Sequence, residues 1–180
     1  MKNSKNFTGI IARYLILVLV ALPNLWLFYL IFTPLTVYAT NLSLGLVFDT
    51  VLIKNIIVVN NEIPIEIIDA CIAGSAYYLL LVLNLSTSKI NLKKRIGMLA
   101  LAFGSFFVIN VLRIFVLTVI LLSDFTFFVL THKIFWYFMS TIFVIMIWFA
   151  EVKVFKIKEI PFYSDMKLLY GKSHFKKSRK

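Results

Sequence analysis

The chain has 180 residues, 61% of them apolar, and carries 19 Lys and Arg against 8 Asp and Glu for a formal net charge of +11. A mean hydropathy of +0.93 excludes a soluble core that must also present a charged surface, and places the chain in the membrane class. Nucleic-acid binding is excluded too, because the basic residues are distributed by segment instead of pooled on one face, and no RNA- or DNA-binding motif accompanies them.

The pattern predicts one all-α integral membrane bundle over residues 1–180, with four transmembrane helices at about 14–34, 70–88, 96–122 and 134–151. Each is measured against the roughly 20 residues that cross a bilayer at 1.5 Å per residue. The first apolar run is longer than the 7 to 15 residues of a signal peptide's apolar core, so it reads as a retained anchor although Val37-Tyr38-Ala39 resembles a cleavage site. Pro23 within it predicts a kink. The 37–69 loop contains two β-rich runs, Ile56 to Val59 and Ile63 to Ile67, separated by Asn60-Asn61-Glu62, which predicts a small hairpin. An amphipathic interfacial helix is the alternative. The 70–88 span is short and runs on through Ser86, Thr87 and Ser88 to Lys89, whereas the 96–122 span is long enough to tilt or to break near its outer end. The tail, 152–180, interleaves basic residues with Phe155, Ile157, Phe162, Tyr163, Leu168, Leu169 and Tyr170, a composition that rests on anionic lipid headgroups, with His174 solvated.

Charge asymmetry sets the direction, because cytoplasmic loops keep the excess of Lys and Arg. Sixteen of the nineteen basic residues precede the first span, join the second to the third, or follow the fourth; the other side holds Lys54 and Lys133 among Asp49, Glu62, Glu66, Asp69 and Asp124. Both termini are therefore expected in the cytoplasm and the 37–69 loop outside.

Cys71 is the only cysteine, so it forms no disulfide within the chain. Counting along the helices at 1.5 Å per residue, Cys71 lies eighteen residues from Lys89, Arg113 eighteen from Arg95 and His132 twenty-one from Lys153. Each distance is roughly 27 to 30 Å, so three helices are expected to bring a thiol, a guanidinium and an imidazole to the outer boundary of the hydrocarbon core. Each has a plainer alternative: Cys71 as a small packing residue, Arg113 snorkelling to headgroups, His132 as an ordinary interfacial histidine. Asn110, three residues before Arg113, is a candidate helix-packing hydrogen bonder and a supporting residue of the site.

The chemistry of the set is coherent. A thiol with a reference pKa of about 8.5 is only a few per cent thiolate at neutral pH and needs a base or a stabilising field. Asp69 as N-cap of the second span would put Cys71 at the second helical position, where the positive helix end favours thiolate. His132 can move the thiol proton as general acid/base and Arg113 can hold a carbonyl oxygen or oxyanion, a combination suited to acyl transfer through a thioester. No cofactor and no metal are required.

The runs Asp69-Ala70-Cys71-Ile72-Ala73-Gly74-Ser75 and Asn110-Val111-Leu112-Arg113-Ile114, followed by His132, resemble the exosortase/archaeosortase family of membrane cysteine transpeptidases, most closely the short archaeal (pacearchaeosortase) type. The resemblance covers roughly residues 63–150, and Cys71-Ile72-Ala73-Gly74 departs from the family's common Cys-Ser-Gly. It implies that Cys71 is the nucleophile, with Arg113 and His132 completing the site. It also implies exported protein substrates bearing a C-terminal tag of motif, transmembrane helix and basic cluster, and transfer to an acceptor such as a membrane lipid at the outer face of the plasma membrane. The alternative is a non-enzymatic small membrane protein, a transporter subunit or assembly factor, in which Arg113 binds an anionic lipid or partner.

Overall fold

The computed structural model describes residues 2–163, 165–167 and 170, with side chains described for these except 2–7, 136 and 137. Expectations for Leu168, Leu169, His174 and the basic cluster at the end of the tail lie outside the described residues. The chain is mostly helical, with a small three-stranded antiparallel sheet, and among the described residues three helical stretches are long and apolar enough to cross a membrane: Trp26–Gly45, Asp69–Ser86 and Leu92–Ser123.

The expected first span, 14–34, is two helices: α1 (Lys2–Ala21) and α2 (Trp26–Gly45). Pro23 does not bend a continuous helix but ends one, because it lacks an N–H and its ring would strike the carbonyl a turn back. The turn is completed by left-handed backbone at Asn24 (φ 50°) and Leu25 (φ 61°). Pro34, by contrast, is accommodated inside α2. Because α2 continues to Gly45, the outer loop expected from residue 37 starts only after that helix.

The hairpin is present and belongs to a larger sheet of β1 (Thr50–Ile53), β2 (Ile56–Val59) and β3 (Ile63–Glu66), in that spatial order. Thr50 pairs with Val59 and Ile53 with Ile56, while Val59 pairs with Ile63 and Ile56 with Glu66. Left-handed residues Lys54, Asn60 and Asn61 turn the strands.

Beyond the sheet come α3 (Asp69–Ile72), α4 (Gly74–Ser86) and α5 (Leu92–Ser123), the last running unbroken past Arg113. A further helical path starts at α6 (Phe125–Ile134), passes through one π-turn at Phe135–Met139 and ends in α7 (Ser140–Val154). It begins nine residues before the expected fourth span, because the Asp124 carboxylate caps α6 by accepting from the N–H groups of Thr126 (2.7 Å) and Phe127 (3.1 Å).

Two apolar clusters hold these elements together. One is aromatic, with Tyr77 stacked on Phe32 (centroids 3.8 Å apart) and edge-on to Phe106 (4.8 Å). The other joins Val37 and Leu44 of α2, Ile57 and Val59 of the sheet, Ile67, Ile72, and Ile114 of α5. That second cluster ties the sheet to the helices on either side of Cys71. The outward faces of α2, α5 and α7 leave Leu30, Ile31, Val108, Leu112, Ile145 and Phe149 exposed, a distribution compatible with a lipid surround.

A polar network closes the end of the bundle near Arg95, nineteen residues before Ile114 on α5 and hence about 28 Å from it. Arg95 donates to the carbonyls of Asn84, Leu85 and Thr87, and Arg13 donates to Leu85 O (2.9 Å) and Thr87 O (3.0 Å). Two arginines thereby satisfy the orphan carbonyls at the C-terminus of α4, and Asp165 pairs with Arg13 in a two-pronged contact (2.9 Å to each oxygen). Deeper in, the wholly buried Glu151 accepts from Asn84 Nδ2 (3.1 Å).

Candidate active site

Cys71 sits in a single helical turn, α3, whose short length has a local cause. Ala73 adopts a left-handed conformation (φ 57°, ψ 48°) and the next helix starts at Gly74. Asp69 does not cap this turn: it is already its first helical residue, and the extended residue before it is Ile68 (φ −99°, ψ 171°), whose apolar side chain accepts nothing. The capped continuous helix expected to place Cys71 at its second position is therefore absent. The N–H of Cys71 donates instead to Ile68 O (2.8 Å).

The same break removes the carbonyl of Cys71 from regular helical pairing, and two side chains of α5 take over. Asn110 Nδ2 donates to it at 2.8 Å and Arg113 Nη2 at 3.1 Å. Residues three apart on a helix share a face, so the spacing Asn110 to Arg113 aims both at one acceptor. Arg113 Nη1 also donates to Ser140 Oγ (3.1 Å) at the start of α7. The guanidinium thus bridges the Cys71 turn to α7, with Asn110 buried behind it.

His132 stands on the last turn of α6, its ring tilted against Phe128 one turn earlier (centroids 5.4 Å apart). The π-turn that follows has a geometric effect. In an unbroken α-helix, residues eight apart differ in direction by about 80°, whereas absorbing one extra residue brings them to within about 20°. It therefore aligns His132 and Ser140 on nearly the same face.

Cys71, Arg113 and His132 line one cavity of about 450 Å³, together with Asp69, Tyr29 and Ser140. Its remaining wall is largely apolar and comes from β3 and the segment after it, from α5 and from α6. The Tyr29 ring lies against Gly74 so closely that a Cβ there would come within 2.8 Å of Tyr29 Cζ, which is why the residue after Ala73 has no side chain. Among the described residues no three His, Cys, Asp or Glu side chains gather as a metal site.

The chain matches no protein-family model, no curated protein and no solved structure.

Of the five residues singled out from sequence, four reach the cavity wall; Asn110 lies outside that wall and holds the Cys71 main chain. Tyr29 and Ser140 were not anticipated. Tyr29 lay in what reads as an uninterrupted span, and Ser140 acquires its position only through the π-turn. Asp124 ahead of an apolar run was a legible helix start that would have extended the last helix backwards to His132.

Proposed function

We propose that the protein is a membrane-embedded cysteine transpeptidase of the exosortase/archaeosortase kind. The observation that supports this is that a thiol, a guanidinium and an imidazole from three separate helical segments face one cavity of about 450 Å³. Polar side chains at membrane depth are costly and concentrate at functional sites.

In the proposed reaction the Cys71 thiolate attacks a substrate carbonyl carbon, His132 having taken the thiol proton. The carbonyl π electrons move onto oxygen, where N–H groups of Arg113 not committed to Cys71 O and Ser140 Oγ offer donors. Collapse of the adduct breaks the C–N bond, and His132 returns the proton to the leaving amine. The resulting thioester is then attacked by an acceptor hydroxyl or amine, whose proton leaves through His132 as Cys71 is released. A single neutral imidazole suffices for both transfers.

The substrates are exported proteins carrying a motif, a transmembrane helix and a basic cluster, and the acceptor is a membrane lipid. In this proposal α1 with the first part of α2 forms one broken crossing, and Asp69–Ser86, α5 and α6–α7 form three more. The basic ends lie in the cytoplasm by the excess of Lys and Arg, and the cavity opens on the outer face.

Cys71→Ala should abolish processing of a tagged protein in cells while membrane insertion, read by alkaline extraction, is unchanged; Cys71→Ser should be nearly as severe. Processing that continues in Cys71→Ala would overturn the proposal. Engagement of Arg113 by Cys71 O and Ser140 Oγ is a reason to prefer the enzyme to a binding protein that uses Arg113 as a free lipid anchor.

A further inference from the structure

Strand β3 is one edge of the sheet, and its end with the two residues that follow forms a wall of the cavity: Ile65, Glu66, Ile67 and Ile68 all line it, and the chain reaches Cys71 only three residues later. The direction of its backbone groups follows from the pairing. Ile67 N–H donates to Asn55 O (2.9 Å), so in the antiparallel ladder the hydrogen-bonding residues of this segment are 63, 65 and 67. Residues 64, 66 and 68 therefore turn their main-chain groups away from β2.

The free row consists of the Pro64 carbonyl, the Glu66 N–H and carbonyl, and the Ile68 N–H, and none of these has a backbone partner among the described residues. Pro64 fits this register, since its missing N–H falls on the unpaired side, where a sheet tolerates proline. An unpaired edge is a template for another extended chain, and this one is short and runs directly to the thiol.

We infer that the free edge of β3 is the substrate-docking strand: an extended peptide pairs with Pro64, Glu66 and Ile68 as a fourth strand, which delivers its scissile carbonyl to Cys71. This rests on the enzyme proposal above and specifies how its substrate is held. Main-chain pairing supplies register without demanding particular side chains, while the apolar cavity wall selects those that point into it. A segment that is not extended is rejected, because it cannot meet donors and acceptors spaced two residues apart.

The test uses the full-length protein in detergent micelles and two reagents that alkylate Cys71 with loss of chloride: chloroacetamide, and the chloromethyl ketone of acetyl-Val-Thr-Val-Ala. With each rate divided by that of the same reagent with free cysteine, the wild type should favour the peptide reagent at least about tenfold, the effect of one or two net hydrogen bonds. N-methylation of the peptide reagent tests the ladder on the wild type: it should slow the reaction at alternate positions and have no effect at those between. Equal rates for both reagents after that division, or N-methyl effects without alternation, overturn the docking strand but leave the nucleophile intact. Failure of both reagents to label Cys71 overturns the enzyme proposal and the docking strand with it. Wild-type peptide-reagent rates that fall with rising protein concentration would assign the edge to a second copy of the chain and overturn the docking strand.

Discussion

Arg113 reaches Cys71 through the main chain: its Nη2 donates to the Cys71 carbonyl at 3.1 Å, and Asn110 donates to the same oxygen at 2.8 Å. The helical break at Ala73 makes this possible, because it leaves that carbonyl without a partner four residues on. Arg113 consequently positions the Cys71 backbone as well as facing the cavity. Its replacement should therefore do more than remove a charge.

Arg113→Lys keeps the charge but cannot span Cys71 O and Ser140 Oγ with one planar group. Processing of a tagged protein should fall by about two orders of magnitude, a loss of roughly 2.7 kcal/mol in the transition state. Chloroacetamide should still label Cys71. Retention of wild-type processing would show that bidentate placement is unimportant.

Asn110→Leu leaves the half-buried Cys71 carbonyl with one donor instead of two, which should lower stability by about 0.5 to 1.5 kcal/mol, one net hydrogen bond. Thermal unfolding in detergent reads this. Asn110→Asp should be at least as damaging, because a carboxylate beside that carbonyl offers no donor.

Gly74→Ala forces a methyl group to within 2.8 Å of the Tyr29 ring and should cost about 1 to 3 kcal/mol, by shifting either Tyr29 or the Cys71 turn. Pairing it with Tyr29→Leu should restore part of the loss in thermal unfolding. No recovery would mean that the contact is not what excludes a side chain. Ala73→Gly acts in the opposite direction, since it relieves left-handed strain of about 1 to 2 kcal/mol at an entropic cost of about 0.5 to 1.

In the proposed reaction His132 carries the thiol proton, so His132→Gln should slow processing of a tagged protein by about two to four orders of magnitude while membrane insertion is unchanged. Processing at the wild-type rate would show that the imidazole moves no proton.

Much of the architecture follows from residues taken in sequence. Suitability for lipid is decided by composition over about 20 residues, so apolar runs around 70–88 and 96–122 locate helical stretches without knowledge of neighbours. The hairpin strands at Ile56 and Ile63 follow similarly from β-rich runs around Asn60-Asn61. Thr50–Ile53 was harder to recognise, being a four-residue strand that depends on pairing with β2.

Cys71, Arg113 and His132 stood out from the sequence because a thiol, a cation and an imidazole are rare among apolar neighbours. Their arrangement required the tertiary structure. Ala73 carries no local signal for left-handed backbone, yet the Tyr29 ring on Gly74 and the Asn110 and Arg113 donors on Cys71 O hold the chain there. Nor does Phe135 to Met139 announce a π-turn, although that turn aligns His132 with Ser140. Composition determined which segments are apolar enough to leave water, because transfer of a side chain depends on that side chain alone. Packing decided which atoms meet, because one residue inserted in a turn redirects everything after it by about 100°.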